Sequence, residues 1–216
     1  MRVATKALLT AVSSVAVANP AGAAVIIGFD TPSTIPGSND FTSDLNGLGL
    51  TQMATSGISL VLDEDSTITF DVLGSESGFD DTFTAAGLTY TEFTSFLNSF
   101  ASPISLGSAD FTAGDLAGLL TFSSSGGRTA TLGEDGLALF LGPNAVSGDA
   151  ASVFFLGFDD QNTDQDGDFD DLIVRATVSP VLAVPEASTW AMALLGFGVA
   201  GFAMRRGRPR GLSQLA

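Results

Sequence analysis

The sequence predicts a mainly β protein. We expect a single β-sandwich or jelly-roll-like domain, flanked by an N-terminal signal-peptide helix and a C-terminal hydrophobic helix. Three observations predict this. Short apolar runs recur between glycine, serine, aspartate and proline. Several runs alternate apolar with polar, as a strand with one buried face does. Two uncharged apolar runs, each beside basic residues, lie near the two ends of the chain.

The elements follow in order. Arg2 and Lys6 precede the uncharged run Ala7 to Ala18; Pro20 breaks it, and Ala21-Gly22-Ala23 supplies small residues for cleavage. Residues 1–23 therefore read as a secretory signal peptide, with signal peptidase as a partner. Strands are predicted at Val25–Phe29, Ile58–Leu62, Thr67–Val72, Phe83–Thr84, Gly118–Ser123, Gly136–Leu141, Ser152–Phe158 and Asp171–Val178. In Thr67–Val72, Ile68, Phe70 and Val72 share one face. Phe93, Phe96, Leu97 and Phe100 have the spacing of one helix face and read as core. Residues 31–47 and Gly142 to Ala150 read as loop and turn. The β domain is placed at 24–184.

From Ser188 to Met204 there are 17 residues without charge. At ~1.5 Å per residue they span about 25 Å, against a hydrocarbon core of about 30 Å. That makes a marginal membrane span, with Trp190 at one interface and Arg205, Arg206, Arg208 and Arg210 on the cytoplasmic side. Val184, Pro185, Glu186, Ala187, Ser188, Thr189 and Trp190, then the apolar run, then the arginines, resemble the PEP-CTERM sorting signal of Gram-negative bacteria. The signal is placed at 185–210; Ala187 stands where the pattern usually has a second proline. The resemblance implies recognition and cleavage by an exosortase, transient membrane insertion, and a host that makes extracellular polysaccharide. It parallels anchor signals whose apolar tail is removed.

Composition excludes several functions. There is no cysteine and no histidine, hence no thiol nucleophile, no Ser-His-Asp triad and no usual transition-metal ligand. Between residues 24 and 184 only Arg128 and Arg175 face 23 acids, a net charge near −21. Such a surface does not bind nucleic acid. Its self-repulsion must be offset by bound cations or by high ionic strength. The content of phenylalanine, leucine, valine and isoleucine argues for a packed core rather than disorder.

The chemistry concentrates in Phe158 to Asp171, which carries Asp159, Asp160, Asp164, Asp166, Asp168, Asp170 and Asp171 with no lysine or arginine among them. Like-charge repulsion of this density is relieved by a hard cation, and calcium takes six to eight oxygens. In an extended strand Asp164 and Asp168 would lie about 13 Å apart. The segment must therefore curl, and Gly167 permits it. Asp164, Asp166 and Asp168 would then converge, with Asp170 or Asp171 as a later ligand. This is not a complete EF-hand: with Asp164 as the first position, Phe169 replaces the glycine of the sixth and Arg175 the glutamate of the twelfth. A solvated acidic turn without an ion is the alternative reading.

The stretch "FLGFDDQNTDQDGDFDDLIVRA" resembles the hallmark of secreted bacterial β domains of uncharacterised function, and "LGSESGFDDTF" resembles an upstream motif of many PEP-CTERM proteins. These resemblances imply a β-sandwich with a calcium role, and they bring no known enzyme activity with them. Asp80 and Asp81, in the upstream motif, read first as a surface turn, with a place near the later acidic loop as the alternative. The expected function is an exported, C-terminally sorted, non-catalytic protein of the cell surface or exopolysaccharide matrix, stabilised by calcium. The alternatives are a secreted glycoside hydrolase with paired carboxylates, and an acidity that only reflects a saline habitat.

Overall fold

The structure is a computed structural model and describes residues 22–93, 100–160, 166–181 and 187–206. The expected signal peptide therefore lies outside the described residues, apart from Gly22 and Ala23. The chain divides into two units, residues 1–180 and 181–216.

The first unit is built of antiparallel strands, as the period-2 pattern predicts: β1 (Val25–Gly28), β2 (Ser33–Thr34), β3 (Gln52–Ala54), β4 (Ser59–Leu62), β5 (Ser66–Gly74), β6 (Asp81–Ala85), β7 (Leu88–Thr91), β8 (Ile104–Phe111), β9 (Gly114–Asp115), β10 (Leu120–Ser124), β11 (Thr129–Thr131), β12 (Leu137–Leu141), β13 (Asp149–Ala151), β14 (Val153–Phe158) and β15 (Leu172–Pro180). One sheet has seven strands in the order β2-β3-β12-β14-β15-β5-β8; two have four, β13-β1-β4-β9 and β11-β10-β6-β7.

All three sheets feed one apolar core, the sandwich-like arrangement expected. It takes Val25 and Leu60 from one small sheet, Phe83 and Phe122 from the other, and Ile68, Phe70, Leu139 and Phe158 from the large sheet. Ile68, Phe70 and Val72 are buried on one face, as their alternation predicts. Fully burying a side chain of this kind contributes about 1.5–3 kcal/mol.

The large sheet is buried on its other face too. Leu137, Leu139 and Leu141 of β12 enter the main core, while Ala138 and Phe140 enter a second cluster with Met53, Leu73 and Ile173. This explains why β12 reads as an unbroken apolar run rather than an alternating one. The cover is the segment expected to be loop. It contains β2 and a short helix, α1 (Thr42–Gly47), which buries Leu45, and Phe41 packs beside it. A Cβ at Gly74 would lie 2.7 Å from the Phe41 ring, so a glycine is needed there.

The predicted aromatic helix falls largely on residues 94–99, outside the described set. Of its flanks, Phe100 stacks on Phe41 at 5.1 Å, whereas Phe93 is exposed and does not join the core.

In the second unit, helix α2 (Ala187–Arg206) holds the apolar run. Met192, Leu194, Leu195, Phe197, Val199 and Phe202 are all exposed. Among the described residues no helix is long and apolar enough to cross a membrane. The expected spanning segment is thus not found there: its uncharged run is short, and Ser188, Thr189 and three glycines dilute its hydropathy.

Candidate metal centre

The acidic stretch joins β14 to β15, and these strands pair from Phe158↔Leu172 to Val153↔Thr177. Both lie in the interior of the seven-stranded sheet, so the base of their connection is flanked on each side. Asp159, Asp160, Asp168, Asp170 and Asp171 are all buried, and Asp166 is exposed. Asp164 lies outside the described residues.

Two described residues of the connection turn the chain through left-handed backbone. Gly167 has φ 74° and Phe169 has φ 59°. Phe169 thus adopts the left-handed backbone at the position where an EF-hand loop places its glycine. Its ring packs into the second cluster, and that contact offsets the strain of a non-glycine residue there. The Phe169 carbonyl lies directly over Gly157, where an added Cβ would clash with it. The N-terminal cover also holds the loop. Asn39 Nδ2 donates to the Asp168 carbonyl at 2.9 Å, and the Asp40 N–H donates to Asp170 Oδ2 at 2.6 Å.

The seven predicted aspartates do not act alike. Asp159 is paired with Arg128, Nη1 to Oδ1 at 3.2 Å, with both side chains buried. This corrects the reading of the stretch as wholly uncompensated; the counter-charge comes from the turn before β11. Asp168 and Asp170 interact with each other, and each keeps a buried Oδ1 without a hydrogen-bond partner. Burial pushes Asp168 up to about 8, with Asp170 and Asp166 adding to it, and Asp170 up to about 6. Glu76 is also raised, first by burial and then by the charges of Asp40, Asp168, Asp166 and Asp160.

Asp160 and Asp171 belong to a different constellation, together with a residue that sequence reasoning placed on the surface. Asp81 opens β6, and it is fully buried. Asp81, Asp160 and Asp171 each bring a carboxylate oxygen within 4.8 Å of the other two. Ser77 Oγ donates to Asp160 Oδ2, and the Asp160 N–H donates to Asp171 Oδ2 at 2.8 Å. Neither oxygen of Asp81, nor Oδ1 of Asp160, has a hydrogen-bond partner. Burial pushes Asp81 up to about 7, with the Ser124 and Ser77 hydroxyls opposing and the Asp160 charge adding. It pushes Asp171 up to about 8, and Asp160 rises in the same direction.

The surface reading of Asp81 fails because β6 pairs with β10 and β7 on its two sides. Ser124 lies opposite Asp81, and the Glu92 N–H donates to its carbonyl at 2.8 Å. One sequence signal pointed to it. Gly78-Phe79-Asp80-Asp81 repeats as Gly157-Phe158-Asp159-Asp160, and in both copies the last aspartate enters the constellation.

An all-oxygen donor set without histidine or cysteine suits a hard cation such as calcium or magnesium and does not suit zinc or copper. A groove of about 240 Å³ lies elsewhere, lined by Asp44, Leu48, Leu73, Phe100, Ala101 and Arg175.

In the second unit, Val184, Pro185 and Glu186 lie outside the described residues, as do Arg208 and Arg210. Ala187 and Trp190 are in the first turn of α2, and Arg205 and Arg206 are in its last. Residues 183–208 match the family model of the PEP-CTERM protein-sorting motif. The chain carries this sorting motif. A PEP-CTERM motif implies an exported bacterial protein of the cell surface that is processed by an exosortase. The match covers the C-terminal segment and leaves the β domain outside it. No curated protein and no solved structure matches the chain.

Proposed function

We propose that the chain is a structural or adhesive protein of the cell surface or exopolysaccharide matrix of a Gram-negative bacterium. It is non-catalytic, and calcium held in the acidic hairpin stiffens its β domain. Signal peptidase removes the leader, and exosortase then cuts near Pro185-Glu186.

The observation that carries the calcium reading is the burial of carboxylates around one hairpin, several of whose oxygens have no hydrogen-bond partner. Acids spread over the surface for solubility in salt would not be buried in this way. Burial also favours a structural over a hydrolytic role. A glycosidase acid must reach the sugar from a cleft, paired with a second carboxylate some 5–10 Å away. Among the described residues, the 240 Å³ groove is lined by one carboxylate, Asp44.

Two measurements test the proposal. Mass spectrometry of the mature C-terminus in cells with and without exosortase should show a cut in the first only; identical C-termini would overturn the sorting route. Melting in calcium and in chelator should show a higher Tm with calcium, and equal values would overturn the calcium reading.

A further inference from the structure

We propose that Asp81, Asp160 and Asp171 hold one hard divalent cation of calcium's size, which clamps β6 of a four-stranded sheet to the base of the β14–β15 hairpin in the seven-stranded sheet. The proposal rests on the calcium reading above and deepens it. It places an ion at the base of the hairpin rather than among the alternate aspartates of its tip, and it adds a ligand from about 80 residues earlier in the chain.

Distance, donor chemistry and partner accounting all agree. Oxygens bound to one calcium ion at 2.3–2.6 Å lie at most about 5 Å apart, and the three carboxylates meet that limit. Asp81 and Asp160 are fully buried and Asp171 is 8% exposed. Buried acceptors normally have partners, yet both Asp81 oxygens and Asp160 Oδ1 lack one. Unpartnered buried acceptors in a group of three carboxylates this close call for a positive centre.

The site is also built. The Ser77 hydroxyl fixes Asp160, and the Asp160 N–H fixes Asp171. The β6–β10 register fixes Asp81. The two arginines of the β domain have their own acids, Asp159 for Arg128 and Asp71 for Arg175. Close by, Phe122 of β10 stacks on Phe158 of β14 at 5.4 Å, and Phe83 of β6 lies 4.9 Å from Phe122. The sheets are thus already in apolar contact where the acids meet. That contact forces the carboxylates together and excludes the water that would otherwise solvate them.

The test compares the full wild-type chain with Asp81→Asn, a near-isosteric change, by calcium titration calorimetry and by melting in calcium and in chelator. We expect Asp81→Asn to weaken calcium binding at least tenfold and to lose the calcium-dependent rise in Tm. In chelator it should melt at or above wild type, because a buried uncompensated acid is gone. A merely structural aspartate would lower Tm under both conditions, and that result would overturn the proposal. If wild type and Asp81→Asn bind calcium equally, this site is overturned while the calcium reading stands. If wild type neither binds calcium nor gains Tm, the calcium reading itself falls, and the site with it.

Discussion

Arg128 and Asp159 form an ion pair at 3.2 Å with both side chains under a tenth exposed. Removing one partner of a buried pair leaves a lone charge and costs about 3–5 kcal/mol. Burial raises the pKa of Asp160 and the Arg128 charge opposes that rise, so loss of Arg128 adds to the repulsion at the hairpin base. Arg128→Met should therefore lower the urea midpoint strongly. The double variant with Asp159→Asn should recover part of the loss, since no lone charge remains. A single variant with the wild-type midpoint would show that the pair contributes nothing.

Gly136 lies beneath that guanidinium. Its φ is 100°, and an added Cβ would sit 2.5 Å from Arg128 Nε. Its carbonyl accepts the Asp159 N–H at 3.1 Å. A left-handed backbone alone costs a side chain about 1–3 kcal/mol, and here the arginine must move as well. Gly136→Ala should destabilise by at least that amount in equilibrium unfolding. An unchanged stability would mean that neither the backbone nor the ion pair is held at this position.

Stability in chelator should fall as the pH rises. Asp81 sits at about 7 and Asp171 at about 8 in the folded state, against about 3.9 for an unfolded aspartate. Between those values the folded protein holds more protons than the unfolded chain. The contribution is therefore complete below about pH 4 and is lost as the pH rises through 7 to 8. Each kcal/mol lost lowers Tm by about 2–4 °C in a protein of this size. Melts in chelator from pH 5 to pH 8 should trend downward, and saturating calcium should flatten the trend by replacing the protons. A Tm that rises across this window in chelator would contradict the burial of these acids.

Much of the fold was legible because burial on one face leaves a period of two. Each of the eight predicted strands overlaps an observed one, and Thr67–Val72 lies wholly within β5. The missed strands lack that signal for physical reasons. Edge strand β8 is largely exposed and interrupted by Gly107 at φ 106°, so no apolar face marks it. Strands β2, β3, β9, β11 and β13 are two or three residues long and β7 is four, too short to show a period. Helix α1 reads as loop in the sequence because, of its six residues, Leu45 alone is buried.

The candidate site was legible by density and not by partnership. The sequence shows that Asp159 to Asp171 must curl and be neutralised, and Gly167 does turn the chain. It does not show which acids meet, because that depends on how the sheets face each other. Arg128 reaches Asp159 from 31 residues away, and Asp81 joins Asp160 from 79 away. Such pairings are properties of the packed sheets, invisible to any local window.

The exposed apolar side chains of α2, from Met192 to Phe202, bear on more than location. A chain that still carries them is an amphiphile: a strongly charged head on a greasy tail, prone to gather into clusters or to coat an interface. Cleavage at the motif would leave a free polyanion with no surfactant character. The cut would therefore change the colloidal state of the protein as well as its address.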